Sequence, residues 1–161
     1  MESSPVKQRT LAVRPWTSDD DAFVAELSEE SFGEYDVRPS RYLLHATRRH
    51  GIRTWIAVEN DVPAGMLVLG RDASTWWVLA VAVTARARAR GIGGRLMHLA
   101  ERHASAHGAQ RLSLFTADSN LAALDLFLRC GFRIVRRQPR FYARGQDACR
   151  LDKQLGSLGD D

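Results

Sequence analysis

No stretch of this chain approaches the ~18 to 20 uninterrupted apolar residues needed to span a membrane. Cysteine is scarce. Cys130 and Cys149 are the only two, which is too few for a disulfide framework, and no Cys/His cluster has zinc spacing, so no metal is expected. The opening segment "MESSPVKQRT" has no apolar run behind its charges. It does not read as a secretory signal, and a cytoplasmic protein is expected. Internal repeats and low-complexity linkers are also missing. The 161 residues are expected to form one domain, with a core over about residues 10–155 and frayed ends that include the tail "GSLGDD".

Lysine is almost absent: of 23 basic residues only Lys7 and Lys153 are lysine. The net charge of +4 is therefore carried by arginine, whose planar fork suits phosphates and carboxylates. For most of these arginines a base-composition bias in the gene is the plainer reading. The cluster Arg86, Arg88 and Arg90 is exempted. Charge alone would allow a nucleic-acid partner, but no nucleic-acid motif supports one.

Apolar residues make up 45% of the chain, enough for a real core. "TLAVR" reads as a strand, "TSDDDAFVAELSEESF" as a helix capped by Thr17 or Ser18, and "PSRYLLHATRRHG" as a shorter helix. "IRTWIAVEN" and "GMLVLGR" read as a hairpin turning through "DVPAG". "TWWVLAVAV" is apolar on both faces, which marks a central strand covered on both sides. A helix follows from Gly91 to His107, then the strand "RLSLFTA", then the helix "SNLAALDLFLRCG". "FRIVRRQPRFYA" and "DACRLDKQL" close the order as a strand pair. The fold class expected is mixed α/β, a mostly antiparallel central sheet with flanking helices and one right-handed parallel crossover.

The segment "VAVTARARARGIGGRL", residues 81–96, combines glycine with arginine where a strand turns into a helix. A helix N-terminus offers unpaired N–H groups and partial positive charge, and glycine lets an anion approach the backbone. A pyrophosphate seat is the natural reading. The dinucleotide fingerprint would need glycine at position 96, where Leu96 stands, and the nucleotide P-loop ending G-K-[ST] is absent.

"RARGIG", Arg88 to Gly93, matches the [R/Q]-x-x-G-x-[G/A] loop of the GNAT superfamily of N-acetyltransferases, and the whole strand–turn–helix resembles that superfamily's acetyl-CoA motif. "NLAALDLFLRCGF", Asn120 to Phe132, is similar to its second motif. The resemblance implies that acetyl-CoA is the co-substrate and an amine the acceptor; no membrane partner is expected, given the lack of a long apolar run. It leaves open whether the chain forms a homodimer. It also implies that the backbone of Val81, Ala82 and Val83 binds the pantetheine arm. Amides of Arg88, Ala89, Arg90, Gly91, Ile92, Gly93, Gly94 and Arg95 would hold the pyrophosphate. Asn120 would lie near the thiol and Phe127 beside the acyl end.

Two departures from the family pattern bear on catalysis. The second-motif tyrosine that often protonates the departing thiolate is replaced by Phe127, and the central strand carries no acid or base. Substitutes are Tyr142, in the closing strand pair, as acid, and Glu34, in the loop "FGEYD" with Tyr35 and Asp36, as base or as a partner for a cationic substrate. These are weighed against ordinary polar loop residues. One of Trp76 and Trp77 is expected in the core, the other being free to line a pocket. The activity expected is acetyl transfer to a primary amine by direct attack in a ternary complex. The ending "FYARGQDACRLDKQL" somewhat resembles the closure of protein N-terminal acetyltransferases, so the acceptor is either a protein N-terminus or a small amine. The alternative is a non-catalytic acyl-CoA-binding or regulatory domain.

Overall fold

The computed structural model describes residue 5 and residues 8–156. Seven strands make one sheet: β1 Leu11–Pro15, β2 Arg53–Glu59, β3 Val62–Asp72, β4 Thr75–Val83, β5 Arg111–Ala117, β6 Arg133–Gln138 and β7 Ala148–Gln154. Their spatial order is β1-β2-β3-β4-β5-β7-β6. All neighbours are antiparallel except β4 and β5. The mixed, mostly antiparallel sheet expected from the sequence is the one observed.

Four helices cover the two faces. α1 (Asp21–Phe32) and α2 (Pro39–Thr47) lie on one side. They bury Val24, Leu27 and Leu43 against Ile56, Met66, Val68, Ala80 and Ala82. α3 (Ile92–Ala106) and α4 (Leu121–Arg129) lie on the other. There Leu96, Met97, Ala100 and Phe127 pack with Leu67, Leu69, Val78, Leu112 and Leu114. β4 is apolar on both sides because each side meets a helix layer. No helix among the described residues is long and apolar enough to cross a membrane.

β4 carries the feature that shapes the site. Against β3, Val68 faces Ala80 while Leu69 faces Val78, so Leu79 is an extra, bulged residue. The bulge resets the side-chain alternation. Val78 points toward the α3–α4 layer, whereas Ala80 and Ala82 point toward α1 and α2. On its other edge β4 pairs with β5 only from Thr75↔Arg111 to Val78↔Leu114. Beyond the bulge the two parallel strands part.

Three local expectations are corrected. The β2–β3 turn is not "DVPAG" but Asn60 and Asp61, both left-handed with φ of 50° and 65°. Glu59 pairs with Val62 across it, the short hairpin link that Asn and Asp favour. Pro63 sits inside β3 at a register shift, where a missing N–H is tolerated. Second, the helix expected from Thr17 begins with a short 3-10 turn, Ser18–Asp20. Asp20 is buried there, gripped by both Arg14 guanidinium nitrogens at 2.8 Å and by the Thr17 N–H at 2.9 Å. Third, β6 ends at Gln138, so Tyr142 lies in the β6–β7 loop rather than on a strand. The residues expected to fray at the C-terminus, 157–161, fall outside the described residues.

Candidate functional site

The parting of β4 from β5 opens a cleft of about 760 Å³. One wall is Val81, Ala82 and Val83, with β3 on their far side. The β5 side of that backbone has no strand to bond, so its polar groups face the cleft. The opposite wall is α4, through Asn120, Ala123, Leu126 and Phe127, and the end of α1 closes the top with Phe32, Glu34 and Tyr35. The Asn120 side chain accepts a hydrogen bond from the Ala123 N–H at 3.2 Å, so it caps α4 as well as lining the cleft. Phe127 is 5% exposed and inclines against Phe132.

The glycine-rich turn forms the floor. Ala89 and Gly91 are both left-handed, at φ of 60° and 80°, and α3 starts at Ile92 without a side-chain cap. Its first N–H groups have no partner within the helix. Arg88, Ala89 and the residues from Gly91 to Gly94 line the cleft. The glycines differ in what they permit. A Cβ on Gly94 would meet nothing within 4 Å, whereas one on Gly93 would press on Leu126 Cδ2 at 3.1 Å. Gly94 therefore leaves cleft space open, while Gly93 lets α3 lie close to α4.

The alternating arginines brace this turn. Arg86 donates to the Pro63 carbonyl at 2.8 Å and Arg88 to the Val83 carbonyl at 3.2 Å. Arg90 binds the carboxylate of Glu59, which is 3% exposed and also held by Arg9.

A second cavity, of about 490 Å³, lies on the α1–α2 side and shares Phe32 with the first. Its base is an aromatic ladder. Trp77 and Phe115 stack at 5.5 Å and 6°, Phe141 stacks on Phe115 at 4.7 Å, and Tyr142 meets Phe141 edge-on at 5.0 Å. Tyr142 then leans on Tyr35 at 5.5 Å. The β6–β7 loop is tied to the α1–α2 loop. Arg144 donates to the Gly33 carbonyl at 3.0 Å and Gln146 to the Glu34 carbonyl at 2.9 Å. Burial, with Asp36 and Tyr35 nearby, pushes the Tyr142 phenol far above the usual tyrosine range. Burial also raises the Asp36 carboxyl, which forms no ion pair among the described residues.

A model of the acetyltransferase (GNAT) family matches residues 20–132, most of the chain. The chain belongs to the GNAT family. As a GNAT protein it is an acetyl-CoA-dependent N-acetyltransferase by class. It is 26% identical over 133 residues to N-alpha-acetyltransferase 30 of Schizosaccharomyces pombe, spanning 79% of this chain and 87% of that protein. Its fold superposes on Arabidopsis thaliana NAA60 in complex with acetyl-CoA, with a TM-score of 0.80 and 19% identity over 91% of this chain and 99% of that one. The ribosomal-protein-S18-alanine N-acetyltransferase of Escherichia coli gives 0.79 at 15% identity, over 94% and 98%.

Against this GNAT frame the expected site residues divide in three. Val81, Ala82, Val83, Arg88, Ala89, Gly91, Ile92, Gly93, Gly94, Asn120, Phe127 and Glu34 come together around the first cleft. Arg90 and Arg95 do not line it; Arg90 is turned to Glu59 and Arg95 is exposed. Tyr142 lines the second cavity instead, alongside Asp36 rather than Glu34. Trp76 is core and Trp77 lines that cavity; the sequence reading expected core for at least one without saying which. Phe32, Phe115 and Phe141 were not singled out in the sequence.

Proposed function

We propose that the first cleft seats acetyl-CoA, the second cavity seats a primary amine, and acetyl passes directly between them near Phe32. One observation carries this reading: the β4–β5 split brings the two cavities to a shared wall. The free N–H groups at the start of α3 suit a pyrophosphate, and the strand-free edge of Val81–Val83, where Arg88 takes the Val83 carbonyl, suits the amides of a pantetheine arm. The similarity to N-alpha-acetyltransferase 30 favours a protein N-terminus as acceptor, while a small amine fits the same chemistry.

The amine nitrogen attacks the thioester carbonyl, the C–S bond breaks, and the departing sulfur takes up a proton as the nitrogen gives one up. Backbone N–H of β4 at the bulge steadies the oxyanion. Phe127 has no proton to give and packs beside the acyl end. Tyr142 is the side chain assigned to give the sulfur its proton, and the proton released by the attacking nitrogen restores the phenol. Asn120 orients the thiol end. Glu34 stands in the acetyl-CoA cleft, so the amine-facing carboxylate is Asp36.

Incubation with acetyl-CoA and a mixed amine panel, following free thiol, tests the reading. Thiol release that requires an acceptor is the expected result. Tight acetyl-CoA binding with silence across the panel would instead favour the non-catalytic acyl-CoA-binding domain.

A further inference from the structure

We infer that the acceptor is a monoamine carrying a bulky apolar, preferably aromatic, group close to its nitrogen, and that polycationic amines are excluded. The inference rests on the second cavity being the acceptor site.

The cavity wall is unusually uniform. Trp77, Phe115, Phe141 and Tyr142 provide successive ring surfaces from three separate parts of the chain. Phe32 and Leu43 close it from the helix side. Ring faces and edges in this arrangement reward a flat apolar guest beyond simple area burial. A volume of about 490 Å³ falls in the range of small-ligand sites. It holds a ring or a branched alkyl group with its amine.

Charge points the same way. Asp36 is the single carboxylate among the lining residues, and it is matched in the lining by Arg38. Arg150, outside the lining, lies over the Trp77 ring at 5.0 Å and is paired with Asp152 at 3.1 Å. One carboxylate can meet one ammonium group. A polyamine or an aminoglycoside would bring further ammonium groups beside Arg38, with no second carboxylate in the lining to pair with them. Val37, Tyr42 and Phe141 are exposed at the mouth, so the rim continues the apolar surface outward.

The reaction balances without any other reactant. The amine exchanges one N–H for the acetyl group, and the sulfur of CoA gains the proton. The bulky group takes no part in bonding; it holds the nitrogen near Phe32.

The test uses the full chain with acetyl-CoA and four acceptors at equal concentration: phenethylamine, a Phe-initiated tetrapeptide, a Gly-initiated tetrapeptide and spermidine. Binding of each is also measured calorimetrically with CoA present. The expected result is kcat/KM and affinity at least about tenfold higher for the aromatic amine or Phe-peptide than for the other two. Which of the two aromatic probes leads identifies the source, free amine or chain N-terminus. Phe141→Ala, on an exposed loop, is expected to weaken aromatic binding by about tenfold and leave the acetyl-CoA Kd unchanged. Equal binding of all four, a preference for spermidine, or aromatic binding indifferent to Phe141→Ala overturns the proposal. Aromatic binding that depends on Phe141 with no thiol release supports this pocket assignment while overturning acetyl transfer at the site, so the two readings fail separately.

Discussion

Arg90, in the middle of the glycine-rich turn, binds the buried carboxylate of Glu59 at the end of β2. Arg9 binds the same carboxylate from the other side. Burial works against ionising Glu59, but the two guanidinium groups prevail and hold its carboxyl below the usual range. The turn that presents α3 is therefore anchored to the hairpin across the sheet edge. Glu59→Gln is expected to raise the acetyl-CoA Kd by about threefold to tenfold, the scale of one ordinary hydrogen bond. Calorimetric titration checks this, and an unchanged Kd would remove Glu59 as a positioning residue.

Gly94→Val and Gly93→Val should part company. The first puts a side chain into open cleft space and is expected to weaken acetyl-CoA binding more than about tenfold with little change in Tm. The second forces Leu126 to move and is expected to cost stability by about 1–3 kcal/mol as well. Thermal melts and titrations of both variants decide it. Equal Tm losses would contradict the distinction between the two glycines.

Tyr142→Phe is expected to lower kcat by about a hundredfold with the acetyl-CoA Kd unaltered. Because burial raises the phenol pKa, the wild type should show no alkaline decline from this group near the ordinary tyrosine value of about 10. A pH–rate profile carried to that region is the check. A decline centred there that Tyr142→Phe abolishes would mean that the phenol is not held in its acid form.

Asp36 carries a cost in stability. Its folded pKa lies above its unfolded value, so folding is unaffected at low pH and is weakened as pH rises through the interval between the two. Asp36→Asn should therefore raise Tm at neutral pH, match the wild type near pH 3, and lower turnover of amines. Melts across that pH range, with kcat/KM at neutrality, test both halves. A lower Tm at neutral pH would show that the carboxylate is stabilised by a partner.

The β4–α3 wall of the first cleft was legible because its residues are contiguous: one strand, one turn and one helix start, where spacing and glycine placement carry the geometry. The parallel crossover and the central position of β4 followed from an apolar pattern without polar alternation. The second cavity was not legible in the same way. Asp36, Trp77, Phe115 and Tyr142 lie far apart in the chain, and nothing local in "TWWVL" tells which tryptophan faces a cavity. The bulge at Leu79 decides the direction of the residues after it, and it has no sequence mark in an all-apolar strand. The partners of the arginines were not legible for a related reason. Alternation suggested a charged seat, but Arg86, Arg88 and Arg90 each found a carbonyl or carboxylate within the protein.

Phe32 sits where the two cavities touch, one opening between the helices of one layer and the other beneath the opposite layer. It is the one residue common to the two linings, so the proposed guests would occupy separate berths that meet beside it. Neither guest has to pass through the other's berth, so neither must arrive or depart first. Steady-state plots should then intersect rather than run parallel, and each product should compete only with the reactant that shares its berth.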